Sequence, residues 1–218
     1  VLSVPEYTRG CSCSYQNQTS LALVHQPDVE NWTFTNSKWN QKPIKRLGIN
    51  LGAPGDRLSE SKTLWIEYPS IGGPSQEIPI KSAPDNIMWF RQHSSLIEES
   101  ELSWVGASGA KGITSLTIAT GNVQKPDFQG TVRLIFCEPS AIKPKERLLD
   151  IYIEGELLLE GLDIVTEAQG IKKILIKTLP YTITGSEIKI ELKPNSKSIL
   201  KETILCGVEI LLDNPFTD

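Results

Sequence analysis

The chain has 218 residues, of which 39% are hydrophobic and 22% charged, with a net charge of −4. That balance suits a folded domain rather than a disordered one, and the length is enough to bury a core without a metal or disulfide staple. No Lys/Arg run stands out and no apolar run approaches the ~20 residues that span a bilayer, which excludes a strongly basic nucleic-acid binder and a helical membrane span.

The chain opens on Val1 and not on Met, so loss of a signal peptide or of a larger upstream domain is expected. The first 43 residues are rich in Gln, Asn, Ser and Thr. Residues 19–24 (Thr-Ser-Leu-Ala-Leu-Val) read as a strand, and residues 32–35 (Trp-Thr-Phe-Thr) alternate like an edge strand, with Pro27 between them. So small a segment cannot hold its own core. It is expected to pack on the main domain or on something upstream. The chain thus divides into an N-terminal extension, 1–43, and a main domain, 44–218.

After residue 43 strand follows strand. Residues 47–51 open the series, and Gly52-Ala53-Pro54-Gly55-Asp56 supplies turn chemistry. Residues 64–68 (Leu-Trp-Ile-Glu-Tyr) form a strand stopped by Pro69, and residues 71–74 are a loop. Residues 87–91, 115–119 and 132–137 are further strands, the last apolar enough to be largely buried. Leu149, Ile151 and Ile153 share one parity, as do Ile188, Ile190 and Leu192, and Ile204, Cys206, Val208 and Ile210. No long segment has helical periodicity and no repeat of 20–50 residues marks a propeller. The expected fold is all-β, a sandwich or barrel.

Four cysteines are compatible with a secreted protein. Cys11 and Cys13 flank one serine, so they form neither a CxxC redox motif nor a haem site, and a bond between them closes a small, strained ring. Free thiols, a local staple and pairing with an upstream cysteine all remain open. Cys206 shares its parity with Ile204 and Val208 and is expected to face the core; the direction of Cys137 is undetermined. A bond between these two requires Cα atoms within ~7 Å; buried free thiols are the other reading.

Ligand binding in a β-sandwich asks for an aromatic face and nearby polar groups. Trp65, Tyr68, Trp89, Phe90 and Trp104 supply the first; Asp56, Glu67, Arg91 and His93 supply the second. Each tryptophan is also a natural core residue. Trp65 and Glu67 face one side of their strand, and Ile66 and Tyr68 the other; Tyr68, beside Pro69, is the better exposed contact. The candidate ligand-binding set is Tyr68, Trp65, Trp89, Arg91, His93 and Asp56.

Catalytic readings fail on context. Glu138, Arg147, Asp150 and Asp163 suggest a carboxylate pair, but an internal Arg–carboxylate bond or turn hydrogen bond accounts for them better. Only His25 and His93 are present, and no serine sits in a nucleophile elbow; His93 reads as a structural hydrogen-bond donor. Residues 106–112 are glycine-rich but lack the GK[ST] ending and a following helix, so they read as a flexible connecting loop. No His/Cys spacing suits zinc. No cofactor is expected, and a structural calcium is the one metal compatible with so weak a signature.

Residues 130–138 (Gly-Thr-Val-Arg-Leu-Ile-Phe-Cys-Glu) resemble a malectin strand that ends Phe-Ala-Glu, with Cys137 for the usual alanine. Residues 147–155 look like the family's Arg-x-Phe-Asp-Val-x-Ile-x-Gly; residues 161–164 match its turn, residues 168–170 its Ala-Gly pair, and residues 204–210 its last strand. This resemblance implies a galactose-binding-like jelly roll. The animal member holds a diglucosyl glycan with loop aromatics and an aspartate, a cluster that does not align here, so ligand identity does not carry over. Residues 7–23, 48–57, 63–69, 93–95 and 104–109 are similar to the C-terminal region of large secreted planctomycete proteins that carry a β-propeller resembling quinone-dependent alcohol dehydrogenases.

These likenesses imply a non-catalytic binding module, periplasmic or secreted at the cell envelope, recognising carbohydrate or polysaccharide. The rival is a structural or assembly domain docking on a protein partner such as an upstream β-propeller, as an accessory part of an oxidoreductase. Nucleic acid is not an expected partner.

Overall fold

The computed structural model describes residues 34–35, 38–39, 46–70, 78–120, 128–183 and 185–212. The expected strand at 19–24, the loop at 71–74, Cys11, Cys13, His25 and the boundary at residue 43 lie outside them. A short hairpin, β1 (Phe34–Thr35) with β2 (Lys38–Trp39), precedes the main body.

Two sheets face each other. One has the order β13 (Ile174–Ile183), β10 (Phe128–Cys137), β16 (Gly207–Leu212), β3 (Arg46–Leu51), β5 (Leu64–Tyr68), β4 (Arg57–Leu58). The other runs β12 (Glu156–Leu162), β11 (Leu149–Ile153), β14 (Glu187–Pro194), β9 (Ser115–Ala119), β6 (Ile80–Ala83). A three-stranded sheet, β15 (Ile204–Leu205), β8 (Ser108–Lys111), β7 (Met88–Arg91), completes the body. Every described pairing is antiparallel except β3 with β5.

Alternation puts the core between the two large sheets. Leu149, Ile151 and Ile153, Ile188, Ile190 and Leu192, and Leu116 and Ile118 pack from one side. Leu47, Ile49 and Leu51, Leu64 and Ile66, Val132, Leu134 and Phe136, and Val208 and Ile210 pack from the other. The side-chain period of two is what commits each strand to one register, since a one-residue slip would turn all of these outward.

A second, smaller core lies on the outer face of the six-stranded sheet. Trp65, Ile135, Cys137 and Cys206 are covered there by Ile97, Leu102 and Val105. Those last three come from the segment 92–107, which holds a 3-10 turn (Ser94–Leu96) and a one-turn helix α1 (Ser103–Gly106). Residues 134–137 and 64–66 are thus buried on both faces, which is why their sequences run apolar without a break. Trp65 lies across β3, where a Cβ on Gly48 would sit 2.2 Å from its Cδ2. Only glycine leaves room for the indole.

Two sequence expectations change here. Residues 106–112 are not a loose loop: they end α1 and form β8, whose Ser108, Gly109 and Ala110 are buried. Gly109 permits this, because a Cβ there would stand 2.6 Å from the Phe90 ring and 2.7 Å from the Leu205 carbonyl oxygen. Cys206 is buried, but in the second core and not with Ile204 and Val208. The chain changes sheets between β15 and β16, and Cys206 sits at that break, so the parity count does not run through it.

Candidate functional site

The turn after β3 is lashed to the end of β5. The Gly52 amide donates to the Tyr68 carbonyl at 2.7 Å, the Gly55 amide to Glu67 Oε2 at 2.5 Å, and the Glu67 amide to Asp56 Oδ1 at 3.1 Å. Gly52 and Gly55 have φ of +74° and +77°, the left-handed region that glycine occupies without strain. This knot fixes where β4 begins and aims Arg57 across α1: its guanidinium lies 4.7 Å above the Trp104 ring. Trp104 is held in turn by its indole N–H donating to the Glu101 carbonyl (3.0 Å) and by a T-shaped contact with Trp65, ring centroids 5.6 Å apart.

The facing wall follows β7. Arg91 donates through Nε and Nη2 to the Gly52 carbonyl, at 3.2 and 2.9 Å, and so clamps the two loops together. The Gln92 amide donates to the Ala107 carbonyl at 2.8 Å. His93 caps the 3-10 turn, its Nδ1 accepting from the Ser95 amide (3.2 Å) and lying 2.7 Å from Ser95 Oγ. It therefore accepts at Nδ1 where the sequence suggested a donor, and in the neutral ring the proton sits on Nε2.

Between these walls runs a groove of about 560 Å³ lined by Asp56, Arg57, Arg91, Gln92, His93 and Trp104, with Asn50 and Ser108 beneath. Ser108 Oγ donates to Asn50 Oδ1 at 3.3 Å. The Gln92 side-chain N–H₂ is buried and has no hydrogen-bond acceptor.

The six candidate ligand residues divide among three places. Asp56, Arg91 and His93 meet in the groove. Tyr68 and Trp89 form an edge-to-face pair, 5.9 Å apart, where Tyr68 also meets Ser82 Oγ at 2.9 Å; Trp89 is 38% exposed and Tyr68 half-buried. Trp65 is 1% exposed and lies in the second core, out of reach of the groove except through Trp104. Sequence reasoning passed over Arg57 and Gln92. The only signal for either was its place in the chain, Arg57 next to a turn aspartate and Gln92 between two candidates.

Glu138, Asp150 and Asp163 are each engaged structurally. Glu138 Oε2 accepts from Arg147 Nε at 2.9 Å, both side chains being buried, and Arg147 also donates to the Glu202 carbonyl. Asp150 Oδ1 accepts from the Gly161 amide (2.8 Å) and Asn195 Nδ2 (2.7 Å). Asp163 caps the short helix α2 (Ile164–Glu167), accepting from the Thr166 amide at 3.2 Å, and takes the Lys145 amide at 2.8 Å.

Cys137 and Cys206 are free thiols. The Cys206 thiol points to the Cys137 carbonyl oxygen at 3.7 Å. Burial, reinforced by Glu138, pushes the Cys137 thiol up to about 12, and burial beside Cys137 raises Cys206 well above its ordinary value. Neither is a nucleophile at neutral pH. Among the described residues no group of three or more His, Cys, Asp or Glu is gathered to hold a metal ion, and no helix is long and apolar enough to cross a membrane.

Comparison with known proteins adds to this geometry. Residues 127–216 match the malectin domain. Two probable receptor-like protein kinases of Arabidopsis thaliana are similar in sequence: At4g39110, 24% identical over 138 residues, and At2g21480, 25% identical over 174 residues. The matches take in 61% and 75% of this chain but only 16% and 20% of those proteins, so the chain spans a fifth or less of the curated relatives it matches. Among solved structures, the plant receptor-like kinase ANX2 is similar with a TM-score of 0.60 at 17% identity, over 77% of this chain and 48% of that one. A Bacteroides uniformis β-glucuronidase is similar with a TM-score of 0.59 at 18% identity, over 77% of this chain and 18% of that one. The strand patterning, the match over β10 to β16 and these likenesses together make the fold a malectin-like β-sandwich.

Proposed function

We propose that this chain is a non-catalytic binding module that takes saccharide in the groove between the 52–58 turn and the 91–94 loop. One observation carries the reading: Asp56, Arg57, Arg91 and His93 are gathered around Trp104 in a groove of about 560 Å³, within the size range of small-ligand sites. The groove sits on loops held by the rigid sandwich, where binding residues are commonly displayed. Its walls are fixed before any ligand arrives, because Arg91 and Glu67 tie the loops to the strands. Pre-ordering of this kind lowers the entropic cost of binding. A non-catalytic role agrees with Glu138, Asp150 and Asp163 being engaged in internal hydrogen bonds.

A place outside the cytoplasm, at the cell envelope or in the periplasm, agrees with the ANX1 and ANX2 structures being ectodomains. The test is isothermal titration of the 218-residue chain with a panel of soluble oligosaccharides, repeated with His93→Ala and Trp104→Ala. Binding in the micromolar to millimolar range that weakens in both variants is expected. A panel without any binder at millimolar concentration removes the reading.

A second reading has its own observation. Met88 and Trp89, 58% and 38% exposed, are consecutive residues on opposite faces of β7, an outer strand of its sheet among the described residues. An open strand edge with apolar neighbours suits docking on a protein partner such as an upstream β-propeller. Pull-down with Met88→Lys and Trp89→Lys against His93→Ala separates the two surfaces.

A further inference from the structure

We propose that Cys137 and Cys206 are a disulfide site, closed by a small disulfide oxidant while the chain folds and sealed once it has folded. The structure holds the pair reduced. The two residues sit on adjacent strands of the six-stranded sheet. β10 pairs with β16 through Ile135 and Gly207, and the Cys206 amide still donates to the Ile135 carbonyl at 2.9 Å. Cys137 lies two residues beyond Ile135 and projects from the same face. Both cysteines enter the second core, where the Cys206 thiol comes within 3.7 Å of the Cys137 carbonyl oxygen. Neighbouring strands run ~4.8 Å apart and a bridge tolerates Cα atoms up to ~7 Å apart, so rotation of the two side chains can bring the sulfurs together. Cys206 turns this way because it stands at the break between β15 and β16, off the parity of its neighbours.

Oxidised glutathione stands for the oxidant class. One protein thiolate attacks its S–S bond and releases one glutathione thiol; the second protein thiolate attacks the resulting mixed disulfide and releases the other. Two protons and two electrons pass from the cysteine pair to the oxidant, and one S–S bond forms in the protein as one breaks in glutathione. The unfolded chain supplies the thiolates. The folded chain does not: both cysteines are fully buried, and burial pushes Cys137 up to about 12 and raises Cys206 as well. The cover over them is close. A Cβ on Gly106 would lie 3.1 Å from Cys137 Cβ and 3.6 Å from its Sγ, so the bare backbone of α1 rests on the thiol. Gly106 belongs to the segment 92–107, which also supplies a wall of the groove. The bond would staple residues 69 apart in sequence directly beneath that cap, and the redox state met during folding is kept afterwards.

The experiment uses the 218-residue chain with Cys11→Ser and Cys13→Ser, which leaves this pair alone. It is refolded from denaturant in a glutathione redox buffer and, in parallel, in dithiothreitol. Non-reducing digestion and mass spectrometry of the first sample are expected to link the peptide of Cys137 to that of Cys206. The linked chain should unfold cooperatively with a Tm about 5–15 °C above the dithiothreitol sample, since the bond closes a long loop. Adding Cys206→Ala should abolish both the link and the shift. Free thiols or glutathione adducts at both positions, in a chain that folds in dithiothreitol, overturn the site. A linked chain that unfolds without cooperativity, or at a lower Tm than the reduced one, overturns the geometry. The reduced, folded sample is then moved into the glutathione buffer, where oxidation should run about a hundredfold or more slower than in the denatured chain. Equal rates overturn the sealing.

Discussion

Gly48→Ala tests whether the indole of Trp65 is the keystone between the six-stranded sheet and the groove. A Cβ at residue 48 would stand 2.2, 2.6 and 2.7 Å from Trp65 Cδ2, Cγ and Cε2, so ring and strand cannot both stay. Trp65 is 1% exposed, and behind it Gly207 leaves a Cβ only 3.0 Å from Trp65 Cζ3, so the ring has no free side to move to. Overpacking alone costs ~1–3 kcal/mol. Expelling the indole approaches the ~3–5 kcal/mol of a Trp→Ala change. A loss of about 2–4 kcal/mol is therefore expected in urea or thermal unfolding. In a Trp65→Ala background the same change should be close to neutral, since the vacated space admits a methyl and alanine suits a strand better than glycine. The difference between backgrounds is the coupling energy. Trp104 makes an edge-to-face contact with Trp65 at 5.6 Å, so Gly48→Ala should also weaken ligand binding in the groove. A cost below ~0.5 kcal/mol, or the same cost with and without Trp65, refutes the reasoning.

Two other outcomes follow from buried groups. Arg147→Met should destabilise by ~3–5 kcal/mol, because Glu138 is fully buried and would lose its charge partner; Glu138→Gln/Arg147→Met should recover part of that in denaturant titrations. The thiols set a pH dependence. Cys137 titrates at about 12 in the fold against 9.0 ordinarily, so above pH 9 the unfolded chain releases a proton that the folded chain keeps. Stability from this group is intact below 9 and falls as pH rises toward 12, by up to ~1.4 kcal/mol per unit. Comparing the pH 8 to 10.5 stability profiles of the wild type and Cys137→Val isolates it; equal slopes would count against the burial argument.

Much of the framework was legible because its signals are local. The parities of 149–153 and 188–192 mark core faces that the two sheets bring together. An internal Arg–carboxylate bond or turn hydrogen bonds were expected among Glu138, Arg147, Asp150 and Asp163, and the Arg147–Glu138 pair is such a bond. The groove was not legible as a groove. Its walls come from residues 52–58, 91–94 and 104–108, joined by loop closure that no local pattern encodes. Trp65, Trp89 and Trp104 look alike in sequence, each flanked by apolar and polar neighbours, yet one is core, one is exposed and one bridges to the groove. What separates them is Gly48, whose missing Cβ makes the seat for Trp65. Parity failed at Cys206 because the chain crosses between sheets there, and composition failed at 106–112 because glycines that suggest a loop can also admit close packing.

The most direct measurement of the central claim is a two-dimensional amide NMR titration of the chain with a saccharide that binds it. The account predicts shift changes concentrated at residues 52–58, 91–95 and 104–108, with the side-chain amide of Gln92 among the largest. Changes centred on Met88, Trp89 and the outer edge of β7, or spread along β13, would contradict it and move the binding surface away from the groove.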